Sequence, residues 1–93
     1  MSTYLICHDA RQTEGAEARG REMLGRRIAD LWASQLALHG VWIVHANATS
    51  DEIRDQLIDV VPAGDVLIVV GAGSDSAWTG LAPAETEWLI DHI

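Results

Sequence analysis

Short apolar runs alternate with longer segments in which apolar residues recur every three or four positions. Residues 3–8 form the first run, Tyr4-Leu5-Ile6-Cys7 closing on His8-Asp9. Such a run, bounded by polar residues, predicts a strand. Gln12 to Leu31 predicts a long helix, with Leu24, Ile28, Leu31 and then Gln35 along one face. Gly15, Gly20 and Gly25 interrupt it, each costing about 1 kcal/mol relative to alanine; a frayed or late-starting first turn is expected. Val41-Trp42-Ile43-Val44 predicts a second clear strand. Thr49-Ser50-Asp51-Glu52 has the composition of a helix start, and Ile53, Leu57 and Val60 or Val61 supply its apolar face. Pro62-Ala63-Gly64-Asp65 predicts a turn. Val66–Val70, apolar throughout, predicts a strand buried on both faces. A short apolar helix over Pro83–Ile93, with Trp88, Leu89 and Ile93, is too small to stand alone.

The stretch Ser34–Leu38 is ambiguous. Ala33, Leu36, Ala37 and Leu38 are good helix formers, which favours extending the preceding helix. His39-Gly40 supplies a tight turn before the strand at Val41, which favours a hairpin. The hairpin gives a strand–helix–strand–strand–helix–strand order. That is the split βαβ, or ferredoxin-like, plan: an α+β fold with an antiparallel sheet in the order 4-1-3-2. The helical alternative leaves a three-stranded α/β layer.

At 93 residues the chain has the length of one domain. So small a domain buries a limited share of its surface, yet 48% of its residues are hydrophobic. A homodimer would supply the missing burial. The tail, residues 76–93, carries Trp78, Leu81, Trp88 and Leu89 and is the expected dimer contact. No apolar run is long enough for a membrane span and no basic leader is visible, so no membrane partner is expected. Cys7 is the single cysteine, which fits a cytoplasmic location.

Charge is unevenly placed. The first 45 residues balance five arginines against five acids, the remainder carry one arginine and nine acids, and lysine is absent. The net charge of −8 argues against nucleic acid as a partner, because phosphate neutralisation drives most non-specific binding. Arg11, Arg19, Arg26 and Arg27 form the one local basic stretch that would serve a nucleic-acid surface, but a solvated helix laced with Glu–Arg pairs is the preferred account of it.

Asp9, at the end of the first strand, is the leading candidate for a catalytic or metal-binding group; a solvated strand end is the alternative. His8 and Asp9 alternate and so point to opposite faces of a regular strand. In the ferredoxin-like layout His39 and Asp65 fall at the same end of the sheet as Asp9, which makes Asp9, His39 and Asp65 the one acid–imidazole grouping expected. His45 lies at the other end and His92 in the tail, neither with an evident partner. Cys7 reads as a small buried hydrophobe. Gly71-Ala72-Gly73-Ser74-Asp75-Ser76 lacks the third glycine of a dinucleotide loop, and without lysine no phosphate loop of the G-x-x-x-x-G-K type can exist.

The opening Tyr4–Asp9, Trp42-Ile43-Val44 followed by Thr49–Asp55, the strand 66–70, Ala77-Trp78-Thr79-Gly80-Leu81 and the closing Trp88-Leu89 together resemble a family of small SinR-like proteins. These look like relatives of the second CRISPR-associated protein, the ferredoxin-like dimer that accompanies the spacer integrase, and of the VapD ribonucleases. The resemblance implies the hairpin at 34–38 and a homodimer. It further implies a metal-binding aspartate near the dimer axis, here Asp9, which would hold Mg²⁺ or Mn²⁺. Cys7-His8-Asp9-Ala10 departs from the family's usual tyrosine–aspartate ending. Two functions follow. One is a non-catalytic homodimeric module that needs no cofactor and acts through protein contacts, with a partner from its own operon. The alternative is a divalent-metal-dependent endoribonuclease or DNase using Asp9.

Overall fold

The computed structural model describes residues 2–9, 16–73 and 75–92, apart from the side chains of residues 16–19 and 37. The elements are β1 (Ser2–Asp9), α1 (Ala16–Leu31), β2 (Ala33–Leu38), β3 (Val41–Ala46), α2 (Ser50–Leu57), a 3₁₀ turn (Ile58–Val60), β4 (Val66–Ala72) and α3 (Pro83–His92). The strands form a four-stranded sheet in the order β2-β3-β1-β4, which from the other edge is the expected 4-1-3-2. Every adjacent pair is antiparallel. The fold is therefore α+β on the ferredoxin-like plan.

The hairpin forms and the helical alternative does not. α1 stops at Leu31, and residues 33–38 pair with β3 from Ala33↔His45 to Leu38↔Val41, with a bulge between Leu36 and Leu38. Gly40 makes the turn with φ +76°, a conformation that costs a residue with a Cβ. Its carbonyl accepts a hydrogen bond from His8 N at 2.7 Å, so the turn is tied to the end of β1. The helix formers of β2 are overridden because pairing satisfies their backbone groups while the same strand covers the edge of the core.

Strand alternation sorts the side chains into two layers. On one face Tyr4, Ile6, Trp42, Val44, Ala46, Leu67 and Val69 pack with Leu24 and Ile28 of α1 and Ile53 and Leu57 of α2. Leu24, Ile28, Ile53 and Leu57 are completely buried. The apolar stripe of α1 is narrower than its spacing predicts: Leu31 is 42% exposed, and Gln35 lies on β2. α2 begins with a capping box. Glu52 N donates to Thr49 Oγ1 at 3.2 Å and Thr49 N donates to Glu52 Oε1 at 3.0 Å, which satisfies two otherwise orphaned amides.

The second face carries Thr3, Leu5 and Cys7 of β1 beside Val41, Ile43 and His45 of β3 and Ile68, Val70 and Ala72 of β4. Residues 76–92 cover part of it. Leu5, Leu38, Ile43, Trp78, Leu81 and Leu89 line an apolar hollow of about 360 Å³ between the tail and the sheet. Leu89 is the buried anchor of α3. The expectation that β4 is buried on both faces is corrected here: Ile68 is 50% and Val70 42% exposed. β4 is an edge strand, and α3 crosses the opposite side, over β2. Among the described residues no helix is long and apolar enough to cross a membrane.

Candidate functional site

The end of the sheet where β1 stops brings together His8, Asp9, the His39-Gly40 turn and Asp65 at the entry to β4. The topology thus places the expected Asp9, His39 and Asp65 at one end. A buried contact at this end joins His8 to Asp65. His8 Nε2 lies 2.9 Å from Asp65 Oδ2, with side chains 1% and 3% exposed. His8 points into the helix-covered layer, below α1 at Gly20 and beside Pro62, while Asp9, one residue on, is exposed. Opposite orientations for these two neighbours are what strand alternation dictates.

The carboxylate accepts and the imidazole Nε2–H donates. The other ring nitrogen, Nδ1, is buried and meets no hydrogen-bond partner among the described residues. An acid beside an imidazole is the orienting half of a general-base site. Here no hydroxyl or thiol of the described residues meets Nδ1, and both side chains are closed to solvent. The pair acts as a clamp between the end of β1 and the turn before β4. It was missed in the sequence because His8 sits in an apolar run and Asp65 in a turn signal, 57 positions away.

Among the described residues no group of three or more His, Cys, Asp and Glu side chains is placed to hold a metal ion. Asp9, as the proposed ligand, remains on the second sheet face, in line with Leu5 and Cys7. Cys7 is a half-buried free thiol.

Of the arginine stretch, Arg11 and the Arg19 side chain lie outside the described residues. Arg26 pairs with Glu22 one turn away at 2.6 Å. Arg27 makes two hydrogen bonds to Asp59, at 3.0 and 3.1 Å, and a third to the Gln56 carbonyl at 2.8 Å. The Asp59 hydrogen bonds and charge hold the Arg27 pKa above its ordinary value, and the Arg27 hydrogen bonds hold the Asp59 carboxyl below its own. The guanidinium groups of Arg26 and Arg27 therefore already face acids, as Glu–Arg lacing predicts.

At the other end of the sheet the structure pairs the two histidines that had no evident partner. The His45 and His92 rings meet edge to face, centroids 5.7 Å apart. His92 also stacks on Trp88, centroids 4.1 Å apart and 13° between planes. Thr3, 8% exposed, donates from Oγ1 to the His92 carbonyl at 2.9 Å. Gln35 Nε2 reaches Glu85 Oε2 at 3.4 Å. These contacts seat α3 on its own chain's sheet.

The chain matches no protein-family model, no curated protein and no solved structure.

Proposed function

We propose that the chain is a non-catalytic module that acts as a homodimer through protein contacts, the role that the SinR-like and CRISPR-associated resemblance implies. The supporting observation is the second sheet face. Leu38, Ile68, Val70 and Trp78 stand 65%, 50%, 42% and 37% exposed around the partly covered centre of that face. Clustered apolar exposure on a small domain marks a contact surface, and a two-fold pairing of this face buries the same patch on both copies. The acidic balance of the C-terminal half favours protein over nucleic acid as any further partner, a protein of the same operon included. Sedimentation of the full chain at micromolar concentration tests the reading. A dimer is expected, converted to monomer in Ile68→Asp/Val70→Asp with unchanged circular dichroism. A monomeric wild-type chain, or a dimer indifferent to both substitutions, overturns it.

Asp9 supports a second reading. It lies exposed at the end of β1, on the face that the proposed dimer would close. Two facing carboxylates are a fitting donor set for one hydrated Mg²⁺ or Mn²⁺, whose bound water would attack a phosphodiester. Divalent-dependent cleavage of RNA or DNA that disappears in Asp9→Asn is the expected signature. Cleavage that survives chelation or that substitution rules the site out.

A further inference from the structure

We propose that the outer edge of β4 is a strand-addition site for an extended segment of another protein, one in which apolar residues alternate with lysine or arginine. The surface is the edge of the strand and not the second sheet face, so the proposal goes beyond the homodimer and stands apart from it and from Asp9. It starts from where the backbone groups of β4 point. His8 N donates to the Gly40 carbonyl in the turn between β2 and β3. The even-numbered residues of β1 therefore bond toward β3 and the odd-numbered ones toward β4. Leu5 and Cys7 lie opposite Val70 and Ile68, which makes these the hydrogen-bonded pairs. The N–H and C=O groups of Leu67, Val69 and Gly71 thus point away from the sheet. Among the described residues nothing pairs with them.

The two edges of the sheet are built differently. Bulges, charges, proline and covering elements are the devices that keep an edge from pairing. β2 has a bulge between Leu36 and Leu38 and α3 against it, with Gln35 reaching Glu85. β4 is uncharged and free of proline over Val66–Ala72, and its register with β1 is unbroken from Thr3↔Ala72 to Asp9↔Val66. Beside it a hollow of about 270 Å³ runs between Leu67–Val69 and Ser50, Asp51 and Arg54 of α2, and a second of about 290 Å³ continues it past Ile58. An added strand sends alternate side chains to the two faces. Those opposite Leu67 and Val69 face α2, which sets Asp51, Glu52 and Asp55 against Arg54 alone; this flank calls for cations. Those opposite Ile68 and Val70 lie beside exposed apolar side chains and call for apolar groups. A second copy of β4 fits less well. Its Leu67 and Val69 would bring apolar groups to the acids, and two acidic α2 helices would meet, at a cost in like-charge repulsion.

Amide hydrogen exchange of the full chain, read by NMR with and without a synthetic peptide of alternating valine and lysine as long as β4, seven residues, tests this. The Leu67, Val69 and Gly71 amides, open in the free chain, should become protected by the peptide. Those of Ile68 and Val70, already bonded to β1, should change little. The same peptide with glutamate in place of lysine should bind ~10-fold more weakly, and one N-methylated along the edge that faces β4 should not bind. Asp51→Asn/Asp55→Asn should erase most of the preference for lysine over glutamate with unchanged circular dichroism. Unprotected Leu67, Val69 and Gly71 amides in excess peptide overturn the proposal, as does equal binding of the N-methylated or the glutamate peptide. Protection of those amides on raising the chain concentration without peptide also overturns it, since the occupant would then be a second copy.

Discussion

His8 and Asp65 meet at 2.9 Å, both closed to solvent, and so lock the last turn-facing residue of β1 to the turn that launches β4. The bond joins residues 57 positions apart and lies where α1, the Pro62 turn and the sheet converge. Its energetic weight follows from burial, since a low-dielectric surround strengthens the pair and makes either partner costly to leave alone.

Asp65→Ala is therefore expected to destabilise the fold by about 3 kcal/mol, the scale for stripping one partner from a buried polar pair. Asp65→Asn, which keeps an acceptor for His8 Nε2–H, should cost visibly less. Urea unfolding midpoints of the three chains check the order. Equal midpoints would show the pair to be energetically silent.

Gly40 and Gly64 separate backbone strain from collision. Both have positive φ, +76° and +91°. A Cβ at Gly40 would lie 2.5 Å from the His8 carbonyl oxygen, whereas one at Gly64 meets nothing within 4 Å. Gly64→Ala should cost ~1 kcal/mol, from the left-handed backbone alone. Gly40→Ala should cost clearly more, because the turn must also move off β1. Thermal melts of the two variants give the comparison directly.

Thr49→Ala removes half of the α2 capping box and should cost ~1 kcal/mol, while Thr49→Ser and Thr49→Asp should restore most of it. The reason is the Glu52 amide, which donates to Thr49 Oγ1 and has no other acceptor of comparable reach in the first turn. Chemical denaturation distinguishes these variants if the side-chain oxygen, not the residue's size, is what matters.

Acid sensitivity should include a small contribution from Asp59. Arg27 lowers its folded pKa, so its stabilising effect is fully present above the unfolded carboxyl value of about 3.9 and is lost as pH falls through the lowered folded value. The pair is solvent-exposed, so the effect is modest and weakens with salt. In Asp59→Asn, the stability–pH curve should be flatter below about pH 4 than in the wild type. Superimposable curves at low salt would exclude the linkage.

Much of the fold was legible in the chain because its signals are local. The capping residues at Thr49 and Glu52 bond to amides three positions away, and the turn at His39-Gly40 is set by one glycine's conformational freedom. Strand alternation told His8 from Asp9, since successive side chains must leave a strand on opposite sides. Leu24 with Ile28 and Ile53 with Leu57 announced the two buried helix faces by spacing alone. For 33–38 the local signal pointed the wrong way. Its residues favour helix, and only pairing with β3 supplies the hydrogen bonds and burial that make it a strand.

The polar contacts belonged to tertiary structure. His8 with Asp65 and His45 with His92 unite residues 57 and 47 positions apart, and each meeting depends on sheet register, helix docking and loop length at once. A shift of one residue in any strand would turn these side chains to the other face. The exposure of Ile68 and Val70 was hidden for the same reason. An unbroken apolar run states that a strand can be buried on both sides, whereas the position of β4 at the sheet edge and the path of α3 decide what this chain itself covers.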